Sequence, residues 1–232
     1  MAVSSPQFRS NPLTLRILVI GLCCSALALA SGSILAQTLK AGAKTTASAG
    51  IDIESFNNAS DSPLLRVGNK GAAVARAQIL LDRAWFSCGE IDGRYAANMQ
   101  RMVKAFQSAR DLKVTGTVTA ETWKALREDT APLLTRYTVT EKDMVGPFEK
   151  TPADMNERAK LKALVYESVE EALSEKFHTS IAYLKQLNRG RKVEAGNEIA
   201  VPNTSGTSTP VKAASIQIDK SERVLYVLDA AK

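Results

Sequence analysis

At 232 residues with 45% hydrophobic content, the chain is long enough for one or two domains and has the composition of ordinary globular material. Thirty Lys and Arg against 24 Asp and Glu give a formal charge of +6, a mild excess that suits an anionic polymer or surface. No run of Lys and Arg interleaved with aromatics argues for nucleic acid. Cys23 and Cys24 lie in an N-terminal apolar run that export would remove, and the one histidine and one cysteine that remain do not make a zinc site; no cofactor is implied.

Residues 1–36 read as a signal peptide. Arg9 and Arg16 form a positive n-region, Ile17 to Ala30 is an uncharged apolar run, and Ala28, Ala30, Ser31 and Ala36 offer cleavage sites. The run is shorter than the roughly 20 residues of a spanning helix. A membrane link is therefore expected only through this segment if it stays uncleaved. Cys23 and Cys24 would leave with it, so Cys88 has no partner for an intrachain disulfide. Ser87, Gly89 and Glu90 beside Cys88 supply no cation to favour a thiolate, and a structural role is expected of it. Residues 37–62, rich in Ala, Gly, Ser, Thr and Asn, predict a flexible linker.

From Leu64 to Leu126 one idea occurs twice. Ile91-Asp92-Gly93-Arg94-Tyr95 and Val114-Thr115-Gly116-Thr117-Val118 each put a turn-former and a Gly between apolar residues, directly ahead of a helical pattern. Val74, Ala77, Leu81 and Ala84 fall at spacings of three and four, as do Met99, Met102, Val103 and Phe106; Trp123 and Leu126 follow in a shorter segment. Three short helices, each with one apolar stripe, are expected to close on one another over residues 63–128.

These residues resemble the peptidoglycan-binding domain of cell-wall hydrolases and transpeptidases. The likeness runs through Gly68, Gly71, Val74, Gln78, Leu81, Asp92, Gly93, Tyr95, Phe106, Gln107, Gly116, Thr122 and Trp123, with Ala77 where the family usually carries Leu. It implies peptidoglycan as partner and Asp92, Gly93, Arg94, Tyr95, Gln107, Thr122 and Trp123 as binding residues. Backbone N–H groups at a helix start could receive a stem-peptide carboxylate.

A connector containing Pro132 leads to a second unit over residues 137–203. Tyr137-Thr138-Val139 reads as a strand, and Ser168 with Glu171 as a capping box opening a helix that carries Leu173 and Phe177. Thr179 or Ser180 caps a second helix with Ile181, Leu184 and Leu187, which Asn188-Arg189-Gly190 ends; Ile199-Ala200-Val201-Pro202 is a closing strand. His178 is expected near the end of the first of these helices, without a catalytic or metal role. Strand, helix, helix, strand with Leu173-Ser-Glu-Lys-Phe177, Leu184-Lys-Gln-Leu-Asn188 and Ala195-Gly196 resembles a lysin motif (LysM), a glycan-binding family. The resemblance implies glycan contact at Asn188, Arg189 and Gly190. Residues 141–166 form an insertion, and Glu170 stands where the family prefers an apolar residue.

After a linker at 204–212, residues 213–232 open with two alternating apolar segments around Lys220-Ser221-Glu222, a β-hairpin pattern with Ile216, Ile218, Val224, Tyr226 and Leu228 expected on one face. Ala214-Ser-Ile-Gln-Ile-Asp-Lys-Ser-Glu-Arg-Val-Leu-Tyr-Val-Leu-Asp229 resembles the first strands of the L,D-transpeptidase β-sandwich. That family cross-links peptidoglycan stems through a cysteine thioester, with a Ser-His-Gly-Cys-type motif and an activating His. Neither Cys88 nor His178 lies in a matching motif, so no catalytic residue is expected in these 232 residues. The expected fold class is mainly α with small α+β parts: a three-helix peptidoglycan-binding domain, a LysM-like βααβ unit with an insertion, and an incomplete hairpin of a transpeptidase sandwich. The expected function is peptidoglycan binding by the non-catalytic front part of an exported, periplasmic or cell-envelope transpeptidase. The alternative is a free-standing wall-binding module.

Overall fold

A computed structural model describes residues 50–205, 213–221 and 224–228, all within the unit Thr45–Lys232. The expected signal peptide, the expected linker up to residue 49 and most of the linker at 204–212 lie outside the described residues. From residue 50 onward the expected flexible linker is folded. Asp52 caps helix α1 (Ile53–Asn57) by accepting from the Glu54 N–H, and Phe56 is 3% exposed. Asn57 clamps the connector. Its Oδ1 accepts from the N–H groups of Leu133 and Leu134 at 3.0 and 2.8 Å, and its Nδ2 donates to the Leu134 carbonyl at 3.0 Å.

The first unit is built from α2 (Ala72–Arg83), α3 (Ala97–Ala109) and α4 (Ala120–Leu126). Of the expected stripe, Val74, Ala77, Leu81, Met99, Val103, Phe106, Trp123 and Leu126 are buried, while Ala84 and Met102 pack at the margin. Burial of each large side chain stabilises by roughly 1.5–3 kcal/mol. The chain entering α2 is laced to both glycine turns by short antiparallel bridges, Leu65 to Val118 and Lys70 to Arg94.

The second unit has the expected strand–helix–helix–strand order. β1 (Leu134–Thr138) pairs antiparallel with β2 (Glu198–Pro202), Leu134 opposite Pro202 and Thr138 opposite Glu198; α6 (Val169–Lys176) and α7 (Ile181–Leu187) lie between them in sequence. Ser180 rather than Thr179 caps α7, accepting from the Tyr183 N–H. Ser168 accepts from the Glu171 N–H, but the Glu171 carboxylate turns to the N–H of Glu167, so the capping box is only half formed. Residues 141–166 hold a 3-10 helix, Glu141–Met144, and helix α5 (Met155–Ala159), with no buried residue in either.

The two units share one core. Leu133, Leu134, Tyr183, Leu187 and Ala200 belong to the same buried cluster as Ile91, Tyr95, Phe106 and Trp123. A smaller cluster of Val139, Leu173, Leu184, Ile199 and Val201 completes the βααβ unit. Hydrogen bonds cross the seam: the Ile91 N–H donates to the His178 carbonyl at 2.8 Å, and the Ile91 carbonyl accepts from the Thr179 hydroxyl at 2.7 Å.

β3 (Ser215–Asp219) and β4 (Val224–Leu228) form the expected hairpin, and its register corrects the expected face. Ile216 lies opposite Val227 and Ile218 opposite Leu225. Successive side chains alternate across a strand, so these four make one face and Val224, Tyr226 and Leu228 the other. Ile216, Ile218, Leu225 and Val227 are each more than half exposed.

Candidate functional site: two glutamine-plugged turns and the clefts beside them

Both glycine turns are held by a glutamine from an earlier helix. Gln78, on α2, accepts through Oε1 from the N–H groups of Asp92 at 3.2 Å and Gly93 at 2.8 Å, and donates through Nε2 to Asp92 Oδ1 at 2.9 Å. Gln107, on α3, repeats this on the second turn. Its Oε1 accepts from Thr115 and Gly116 at 2.9 Å each, and its Nε2 donates to the Thr117 carbonyl and Thr122 Oγ1, also at 2.9 Å. Gly93 at φ 69° and Gly116 at φ 66° occupy the left-handed region where a Cβ is strained. A buried amide that satisfies its neighbours on both sides fixes each turn without an unpaired polar group.

This architecture sorts the expected peptidoglycan-binding residues. Tyr95, Gln107, Thr122 and Trp123 are each 2% exposed or less. The Tyr95 hydroxyl donates to the Gly116 carbonyl at 2.9 Å, and Trp123 Nε1 donates to the Pro63 carbonyl at 2.8 Å. Gly93 is buried beneath Tyr183: a Cβ there would sit 3.2 Å from its ring. These five side chains and backbones build the turns and the core. Asp92 is half-buried, its Oδ1 accepting from the Arg94 N–H at 2.8 Å, and Arg94 is exposed. The bridge to Lys70 sets a second exposed cation beside Arg94. Lys70 escaped sequence reasoning because it lies well ahead of the turn in the chain. Gln78 and Gln107 both belong to the motif, but their turn-holding role was not legible, because each reaches a turn well beyond it in the chain, Gln78 fourteen residues to Asp92 and Gln107 eight to Thr115.

In the second unit Asn188 is 4% exposed. Its Nδ2 donates to the carbonyls of Leu184 and Ala200, and its Oδ1 accepts from the Ala200 N–H at 2.6 Å, so it ties the end of α7 to β2. Arg189 and Gly190 are exposed and line a cavity of about 480 Å³ with Glu170, Lys185 and Lys192. Glu170 stands 3.8 Å from Lys185 Nζ. Elsewhere in the unit, Asp143 Oδ2 accepts from the Tyr137 hydroxyl at 2.5 Å, and Lys176 Nζ lies 3.1 Å from Asp143 Oδ1. Although burial opposes it, the hydrogen bonds from Thr140, Tyr137 and Lys176 hold the Asp143 carboxyl well below the usual range.

Cys88 is buried, and desolvation, with Asp82 and Asp92 adding to it, pushes its thiol up to about 12. That leaves it neutral and unfit as a nucleophile near neutral pH. His178, at φ 50°, is exposed and places Nδ1 2.8 Å from Asp82 Oδ2, across the seam between the units.

Residues 70–126 match a family model described as "Putative peptidoglycan binding domain". No curated protein matches the chain. Among solved structures, the SleB N-terminal domain is similar at 26% identity and a TM-score of 0.30, covering 32% of this chain and 100% of that one. A peptidoglycan-binding protein from Clostridioides difficile, in complex with glutamine hydroxamate, is similar at 31% identity and a TM-score of 0.29, covering 31% of this chain and 44% of that one. The chain thus spans less than half of the Clostridioides difficile protein. Its α2–α4 region is a helical peptidoglycan-binding domain, accompanied by small antiparallel strand pairs.

Proposed function

We propose that the chain is the wall-binding front part of an exported L,D-transpeptidase, holding the enzyme against peptidoglycan in the cell envelope. The observation that supports the wall-binding part of this reading is the family match over residues 70–126, with the cations Lys70 and Arg94 exposed beside the first glycine turn. Arg94, beside Lys70 and next to the Asp92–Gly93 turn, is the residue on which binding is staked. The βααβ unit at 137–203 reads as LysM-like, with glycan contact at Arg189 and Gly190 on the rim of their cavity and Asn188 as the post that holds the rim. The hairpin at 213–228 reads as the opening strands of the transpeptidase sandwich.

Incubation with purified peptidoglycan tests the binding. The protein is expected to co-sediment at low salt, and less so as salt screens the contact. Arg94→Ala is expected to weaken pelleting without loss of fold, since only its backbone takes part in the turn bonds. A protein that stays in the supernatant at low salt overturns the reading. The enzyme half is tested separately with a tetrapeptide donor and an amine acceptor. No cross-linked product is expected from these 232 residues; a product that depends on Cys88 would refute the assignment. The alternative, a free-standing module that targets a separate enzyme, is distinguished by the coding sequence after Lys232, where the transpeptidase reading requires a Ser-His-Gly-Cys-type motif.

A further inference from the structure

A cleft of about 260 Å³ opens between α1, α2, α4 and the connector after α4. Ala59, Leu80, Trp123 and Leu133 supply apolar wall, and Arg76 and Arg127 supply charge. Arg76 is 6% exposed. One of its terminal nitrogens meets Asp61 Oδ1 at 2.5 Å, while its Nε is buried with no hydrogen-bond partner among the described residues. Arg127 donates to the carbonyls of Ser60 and Asp61 and to Ser62 Oγ, and lies 4.8 Å over the Trp123 ring. Burial, with Arg127 as a neighbouring like charge, lowers the Arg76 pKa against the pull of Asp61. The acid in the wall, Asp129, is already taken by Arg83 at 2.7 Å. Arg76 is thus paired with Asp61 and Arg83 with Asp129, whereas no acid among the described residues pairs with Arg127.

Arg127, which no described acid pairs, stands beside a buried Arg76 whose Nε is unpartnered; this setting calls for an anion, and the planar fork of arginine matches a carboxylate. The volume, about 260 Å³, lies just below the usual range for ligand sites and suits one or two small residues. The apolar wall beside the charge suits a methyl group rather than a second polar one. We propose that this cleft takes the terminal carboxylate of a short peptide ending in a small apolar residue, the chemistry of a peptidoglycan stem end. The choice of peptide rests on the peptidoglycan reading above; the choice of carboxylate rests on the two arginines. Trp123 then serves as a wall of the site as well as a core residue, and the Ser60–Ser62 segment positions Arg127.

The test uses the whole chain with N-acetyl-D-alanyl-D-alanine and its C-terminal amide as probes, followed by the indole N–H resonance of Trp123, distinguished from Trp85 by Trp85→Phe. The acid is expected to shift this resonance saturably and to bind at least about tenfold more tightly than the amide, the effect of losing one charge-assisted contact. Arg127→Gln is expected to remove the preference for the acid. Because Arg127 also holds the Ser60–Ser62 segment, Ala59→Leu provides a second variant that fills the cleft without changing charge, and it should abolish the shift while the melting temperature is kept. Equal binding of acid and amide, or unaltered binding in Ala59→Leu, overturns the proposal. Peptidoglycan pelleting in parallel separates the two readings. Pelleting without acid preference sinks the cleft alone, whereas acid preference without pelleting upholds the cleft as a carboxylate site and sinks the wall-binding role.

Discussion

Replacing Gln107 by Ala removes the plug of the second turn. The side chain is 0% exposed and satisfies the N–H groups of Thr115 and Gly116 and the Thr117 carbonyl, each at 2.9 Å. Of these, the Gly116 bond is fully buried, so its loss leaves a donor away from water at a cost of about 1–3 kcal/mol. The Thr115 and Thr117 groups are partly reached by solvent and cost less, and the void left by the removed amide adds a further term of about 1 kcal/mol. A loss of about 3–5 kcal/mol is expected, a large share of the 5–15 kcal/mol that stabilises an ordinary domain. The assay is urea unfolding followed by helical circular dichroism, with Ser108→Ala on an exposed position of the same helix as control, expected within about 0.5 kcal/mol of wild type. A Gln107→Ala loss below about 1 kcal/mol would refute the claim that this amide, rather than the glycine alone, fixes the turn.

Trp123→Ala should cost about 3–5 kcal/mol, with Trp123→Phe costing less because it forfeits mainly the bond to the Pro63 carbonyl; thermal melting decides, and an unchanged midpoint for the Ala variant would contradict the core assignment. Cys88 should resist a thiol reagent at pH 8 in the folded protein and react after denaturation. Its thiol holds its proton more tightly folded than unfolded, so this stabilising contribution is complete below the ordinary value of 9.0 and is lost as pH rises from there through about 12; Cys88→Ala should flatten the fall in stability across that window, and an equally steep fall in the variant would contradict it. Residues 50–130 produced alone should melt lower than residues 50–205, because the longer piece retains Tyr183 and Leu187 against the shared core; equal midpoints would show that the two units are independent.

The helices of the first unit were legible because each carries one stripe at helical spacing and each glycine turn announces the next start. The same signals placed β1, α6, α7 and β2, where Ser168, Ser180 and Asn188 punctuate short apolar segments. Helix α1 was hidden: Ile51 to Asn58 has a polar, linker-like composition, and it is ordered by partners far away in sequence, Asn57 by Leu134 and Asp61 by Arg76. The hairpin face was misread for a different reason. Val224 to Leu228 is apolar at every position, so alternation within β4 cannot choose a face, and the register set by the turn decides it. At the candidate site, sequence identified the turn residues but could not separate those that build the turn from those that face solvent. Tyr95, Gln107, Thr122 and Trp123 share the motif with Arg94, yet only the three-dimensional position of the two glutamines shows which groups are already used.

The shared core changes what peptidoglycan binding would mean for this chain. Two domains on a flexible tether search for their sites with an effective concentration that depends on tether length. Here Ile91 is bonded on both sides to the His178–Thr179 segment, Tyr183 roofs the Gly93 turn, and Asp82 meets His178 across the seam. The Arg94 turn and the Arg189–Gly190 rim are therefore presented at a fixed spacing, and ordering entropy that a tether would lose on binding is already lost on folding. A fixed spacing favours a ligand that is itself periodic and stiff, as a cross-linked wall polymer is, over isolated fragments. On the reading proposed above, soluble peptide or sugar pieces would engage one point at a time and forgo the second contact. It follows that Arg94→Ala should reduce retention on intact wall more than it reduces binding of any single soluble fragment, because on the wall each point of contact raises the effective concentration at the other.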